Sequence, residues 1–231
     1  GVLVRQLTDN DFVATGILGQ DKSGDLLFTA TGDDPRESHL FSVSLKGKQI
    51  QLTEAAGYHS PTVQEGGHYF IDSYSSVDVP AKDVLMTTGG KEERTLAEAA
   101  DPFEGTNIRK PEMGNITGPD GSTLYTRTYL PYDFDGSKKY PVLVYVYGGP
   151  HAQMVTNRWN GGGPFWMNEF ANRGYIVFTL HNRGSAHRGS DFEQQIHRQF
   201  GTVEMEDQLA GVAYLKSLPY VDGDRMAVHG W

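Results

Sequence analysis

Through the first hundred residues apolar and polar positions alternate in short runs, at 26–30, 40–45, 69–73 and 84–87. Alternation with a period of two marks a strand with one face turned inward. Polar glycine-bearing segments separate the runs: Lys22-Ser23-Gly24-Asp25, Lys46-Gly47-Lys48, Glu65-Gly66-Gly67 and Gly89-Gly90-Lys91. Strands joined by such turns predict antiparallel meanders. The region also repeats. Gln6-Leu7-Thr8 returns as Gln51-Leu52-Thr53, a shift of 45, and Leu52-Thr53-Glu54-Ala55-Ala56 returns as Leu96-Ala97-Glu98-Ala99-Ala100, a shift of 44. A period near 45 with about four strands is that of propeller blades. An ordinary β-sandwich with two chance matches is the alternative. Residues 1–100 are therefore read as propeller blades, and two blades do not close a ring.

Residues 101–122 read as a linker or crossing segment. Pro102, Gly105, Pro111 and Pro119 interrupt it, and Gly118-Pro119-Asp120-Gly121 turns it into the next strand. From 123 to 231 the pattern changes. A strand is predicted at 123–130. The unbroken apolar run at 141–147 suits a strand buried on both faces. A helix follows near 164–172, with Pro164 in its first turn and Gly174 past its end. Then come a strand at 175–180, a helix over 203–218 and a strand at 225–228. Thr202 is the expected cap of the second helix, with Glu204 and Glu206 in its first turn. Met205, Leu209, Val212 and Ala213 share one helical face, read as the core face. Strands alternating with helices predict a mostly parallel sheet covered on both sides.

Charge and composition narrow the chemistry. A net charge of −9 argues against nucleic acid as a partner, since phosphate binding needs a basic face. The 231 residues include no cysteine, which removes disulfides, thiolate metal sites and a cysteine nucleophile from them. No apolar run approaches the roughly 20 residues of a membrane-spanning helix. No cofactor or metal motif is found. His181, His187 and His197 do not have zinc spacing and read as surface or structural residues. Gly161-Gly162-Gly163 has no following Gly-Lys-Ser/Thr and reads as a flexible loop. Trp159 and Trp166 read as packing residues, and Arg183 as a structural partner of Glu204 or Glu206.

Two segments carry candidate chemistry. Met226-Ala227-Val228-His229 is strand-like and runs into Gly230-Trp231. This is the first half of a Gly-X-Ser-X-Gly nucleophile elbow, whose serine would directly follow Trp231. His229 is read as a packed strand residue rather than a general base. The second segment is Tyr145-Val146-Tyr147-Gly148-Gly149-Pro150-His151, after the doubly buried strand. Such a loop brings backbone close to a substrate carbonyl, and a tyrosine hydroxyl there can donate to an oxyanion. The alternative is a strand ending in a tight turn with a buried tyrosine.

Four blocks in order then become recognisable: residues 140–150, Asn182-Arg183-Gly184-Ser185, residues 201–208 and His229-Gly230-Trp231. Together they resemble the prolyl oligopeptidase family of serine peptidases, in its dipeptidyl peptidase IV and prolyl tripeptidyl peptidase branch. The resemblance implies a mixed fold: the C-terminal blades of a β-propeller, then the N-terminal part of an α/β-hydrolase domain. It implies cleavage after a proline near the amino terminus of a peptide, by a Ser-Asp-His triad lying beyond this chain. It assigns Tyr147 as the oxyanion donor and leaves the substrate-binding residues unassigned. An acylaminoacyl peptidase or esterase, and a non-catalytic propeller module, remain as other readings. Expected besides are an exported bacterial location, an exposed sheet edge and a homo-oligomer that covers it, and no catalysis by these residues alone.

Overall fold

The computed structural model describes residues 2–230. The chain divides into two compact units. The first runs to Ala100 and includes Asn157–Trp159; the second takes Asp101–Thr156 and resumes at Asn160.

Unit one is two four-stranded antiparallel sheets, each a meander in sequence order. The first holds β1 (Ala14–Gln20), β2 (Leu26–Ala30), β3 (His39–Val43) and β4 (Gln49–Gln51). The second holds β5 (Tyr58–Val63), β6 (Tyr69–Ser75), β7 (Lys82–Thr87) and β8 (Glu92–Glu98). First strands start at 14 and 58, 44 positions apart, which is the sequence repeat seen as two blades. The four glycine-bearing turns join β1 to β2, β3 to β4, β5 to β6 and β7 to β8. Along β6 the alternation is direct: Phe70, Asp72 and Tyr74 are buried, and Tyr69, Ile71 and Ser73 are exposed. Leu27, Leu40, Leu52 and Phe70 form the core where the blades meet.

The segment joining the blades is held by its carbonyls. His39 Nδ1 lies 2.9 Å from the Thr53 carbonyl, and His59 Nε2 lies 2.8 Å from that of Ala55. The Tyr74 hydroxyl donates to the Ala56 carbonyl at 2.9 Å. The other imidazole nitrogens meet carboxylates, His39 with Glu37 at 3.0 Å and His59 with Asp72 at 2.6 Å. Side chains on three strands thus satisfy a connection that has no ladder of its own. Asn157 joins the same unit: its amide nitrogen donates to Glu37 at 2.6 Å, and its carboxamide oxygen accepts from the Val77 amide.

Unit two is a five-stranded sheet with order β13-β11-β12-β10-β9. Its strands are β9 (Glu112–Thr117), β10 (Thr123–Tyr129), β11 (Tyr140–Val146), β12 (Ile176–Leu180) and β13 (Val221–Gly230). β11 is parallel to β12 and β13, whereas β10 is antiparallel to β12 and β9. The sheet is thus half parallel rather than mostly so. The reason is a hairpin: β9 falls inside the stretch read as linker and folds onto β10. In its turn Gly118 donates to the Ser122 carbonyl at 2.7 Å, and Asp120 accepts from the Ser122 amide.

Helices cover both faces of the sheet. They are α1 (Trp166–Asn172), the single turn α2 (Ser190–Glu193) and α3 (Val203–Ser217). Val142, Val144, Ile176 and Phe178 pack with Leu215 of α3 on one face. Leu143 and Val177 pack with Met167 and Ala171 of α1 on the other. Each such side chain, fully buried, contributes about 1.5–3 kcal/mol.

Three expectations fail here. The core face of α3 is Glu204, Asp207, Gly211 and Leu215, while Met205 and Leu209 are exposed. Gly211 sits tight on the sheet, since a Cβ there would lie 3.1 Å from Leu180, and Asp207 is drawn inward by Arg183. The Thr202 side chain does not cap α3. The Glu204 carboxylate accepts from the Gly201 and Thr202 amides instead, and the Thr202 hydroxyl donates to the Gln199 carbonyl.

The third failure is the glycine run. Gly161 is buried and accepts from the buried Arg127 guanidinium at 2.5 Å, and the Tyr129 hydroxyl donates to the Asn160 carbonyl at 2.5 Å. A Cβ on Gly161 would stand 2.6 Å from Arg127, and one on Gly163 would strike the Tyr129 hydroxyl. The run is a packed lid on two large buried side chains, not a loose loop. Gly163→Ala is expected to lower stability by about 1–3 kcal/mol through overpacking, read by urea denaturation.

Candidate active site

Because β11, β12 and β13 are parallel, their C-terminal ends share one edge of the sheet. The register pairs Val146 with Gly230, and Tyr145 with both Thr179 and His229. Two described segments leave this edge, one from Tyr147 and one from His181, and β13 ends beside them at Gly230. Trp231, and with it the turn expected to present a nucleophile, lies outside the described residues. Gly230 itself has no room for a side chain, since a Cβ would collide with the Val146 carbonyl oxygen.

Tyr147 is the first residue beyond β11. Its side chain is exposed, at 44%, so it is not a buried strand-end tyrosine. Its ring lies over Gly149, where an added Cβ would be 3.2 Å from Cε1. The backbone turns sharply, with φ of 75° at Gly148 and 61° at His151. A left-handed non-glycine residue costs energy and is held by its surroundings.

The second segment anchors the first. Asn182 donates to the Gly148 carbonyl at 3.4 Å and to the Arg183 carbonyl at 2.6 Å. Its oxygen accepts from Gln208 of α3 at 2.9 Å. Arg183 is fastened to Asp207 of α3 by its Nε and Nη2, at 3.0 and 2.7 Å, and by its backbone amide at 2.7 Å. Glu206 at 3.2 Å and Asp120 at 3.5 Å add to the same guanidinium. The Asp207 carboxylate, ahead of the other acids, holds Arg183 above the usual arginine range. The expected partner Glu206 is present, Glu204 is occupied in capping, and Asp207, which sequence reasoning did not name, is the main one. The two residues stand 24 positions apart, and no local pattern links them.

The other flagged residues separate. His181 is buried, and burial, with the Arg188 charge behind it, pushes its imidazole down to about 3. His197 is exposed. No group of three His, Cys, Asp or Glu among the described residues is arranged to hold a metal. His229 lies on β13 with much of its surface exposed among the described residues. Its ring meets Tyr145 and Trp166 at 5.8 and 5.5 Å. Trp166 is half-buried in this cluster, and Trp159 is partly buried in unit one.

Chemically, the edge presents an exposed phenol, a glycine-rich turn whose carbonyl is tethered, and a strand end with no space for a side chain. A phenol so placed can donate a hydrogen bond to a charge developing beside it.

Two measurements check the electrostatics. Asp207→Ala should cost about 3–5 kcal/mol by leaving Arg183 buried without its main partner. Glu206→Ala, at an exposed carboxylate, should cost less than about 1 kcal/mol. His181 has a folded-state pKa below its unfolded one, so the unfolded chain takes the proton first as pH falls. Its contribution is therefore complete above about pH 6.5 and declines toward pH 3, by up to about 1.4 kcal/mol per unit. In denaturation series between pH 6.5 and 5, His181→Phe should lose about 1.5 kcal/mol less stability than the parent chain.

Comparison with known proteins agrees with this geometry. Residues 165–231 match the prolyl oligopeptidase family, and residues 1–81 match the dipeptidyl peptidase IV N-terminal region. Human dipeptidyl peptidase 8 is 35% identical over 217 residues, which is 88% of this chain and 24% of that protein. The structure of Porphyromonas gingivalis dipeptidyl peptidase 4 matches with a TM-score of 0.92 at 28% identity, covering 100% of this chain and 33% of that one. A Bacteroides ovatus structure, assigned as a dipeptidyl aminopeptidase IV, has 42% identity and a TM-score of 0.92, over 98% of this chain and 33% of that one. The chain thus spans about a quarter to a third of the length of these relatives. With blade sheets followed by the first strands of an α/β-hydrolase sheet, this chain belongs to the prolyl oligopeptidase family, in its dipeptidyl peptidase IV branch.

Proposed function

We propose that this chain is part of a serine exopeptidase that cleaves peptides after a proline near their amino terminus. The observation that carries the reading is the exposed Tyr147, one residue beyond the Val146–Gly230 register pair at the edge where three parallel strands end. The relatives named as dipeptidyl peptidases support the substrate class. In this reading the Tyr147 hydroxyl donates to the oxyanion of the tetrahedral intermediate, at 2.7–3.1 Å once substrate is bound. Residues 1–100 serve as propeller blades and 123–231 as the start of the peptidase domain, with 101–122 crossing between them and adding β9 to that domain's sheet. The nucleophile follows Trp231, with acid and base further along in the order of this fold.

The test uses the longer protein that contains this sequence. Tyr147→Phe should lower kcat for an X-Pro chromogenic substrate by about 10²–10³-fold. Full activity in that variant would sink the assignment. The 231-residue chain by itself should release no product, because triad members act together and their loss costs many orders of magnitude.

A further inference from the structure

A cavity of about 250 Å³ opens in unit one against the segment that joins the blades. Its apolar wall is Leu52, Val84 and Met86. Its charged lining is unbalanced, with carboxylates from Glu54, Asp72 and Glu92 and one ammonium, that of Lys82.

Asp72 gives the cavity a specific demand. The residue is 4% exposed. Its Oδ2 accepts from His59 Nδ1 at 2.6 Å, whereas Oδ1 is buried with no hydrogen-bond partner among the described residues. A buried carboxylate oxygen left without a donor is costly. Lys82 does not meet it. Its Nζ stands over the Tyr74 ring, 5.4 Å from the centroid, and makes no ion pair with Asp72 among the described residues. Asp72 lines the cavity, so a donor seated there beside the carboxylate is the partner that the proposal below supplies.

One water occupies about 30 Å³ of liquid, so the space admits several waters or one small organic ion. The excess of carboxylates favours a cation, and the apolar wall favours a cation with a hydrocarbon part. We propose that this cavity binds a small organic ammonium ion, a primary amine on a short alkyl chain. Its ammonium donates to Asp72 Oδ1, and its alkyl chain lies against Leu52, Val84 and Met86. The site is built from unit one alone and does not depend on the peptidase reading.

The probe is n-butylammonium chloride, titrated at constant ionic strength into the longer protein that contains this sequence, with methyl-labelled methionine. The Met86 methyl resonance should shift and saturate with a Kd of about 1–10 mM. n-Butanol, similar in size but uncharged, should give no saturating shift. Asp72→Asn should weaken binding at least about tenfold, a loss of one charged hydrogen bond. If circular dichroism shows that variant unfolded, Glu92→Gln at the exposed rim should still weaken binding about two- to threefold. No saturating shift up to about 100 mM, or the same response to butanol, would overturn the proposal and leave solvent as the partner of Asp72.

Discussion

The ion pair between Arg183 and Asp207 organises unit two. It fixes the chain just after β12 to the first turns of α3, across a separation in sequence that no local preference bridges. Buried charges are tolerated only when fully paired, so this contact dictates which way α3 faces. With Asp207 turned inward, Gly211 and Leu215 follow it onto the sheet, and Met205 and Leu209 are left outside. The same contact brings Gln208 to Asn182, and Asn182 to the carbonyl of Gly148. A helix on one face of the sheet thereby reaches the turn beside Tyr147 through two hydrogen bonds.

Unit one solves a related problem with other groups. Its two meanders are joined by a segment whose carbonyls lie beyond either ladder. Histidine and tyrosine side chains supply the donors, and the histidines are themselves set by Glu37 and Asp72. In both units, polar side chains at the ends of regular elements do what the ladders cannot.

Much of this was legible in the sequence. Period-two alternation and the repeat of 44–45 positions mark the blades, since a sheet exposes its geometry as a local pattern. The unbroken run at 141–147 and the glycine pair at 148–149 likewise stand where the chain is buried and then turns. Legibility ended where distant residues decide. The apolar face of α3 pointed outward because an ion pair outweighed it, and the strand Glu112–Thr117 hid among prolines. For the strand edge itself, the family resemblance alone points to Tyr147, and no local pattern reveals the tether from Asn182.

The contact between Gly230 and the Val146 carbonyl has a consequence for variation at this position. Its backbone atoms lie against those of β11, so any side chain there meets a strand buried in the middle of the sheet. Rotamer changes do not relieve a collision at Cβ, and repacking β11 would disturb both neighbours. In a saturation library of this codon, nineteen alternatives share one defect, and selection for a folded product should return glycine whatever the chemistry at the edge.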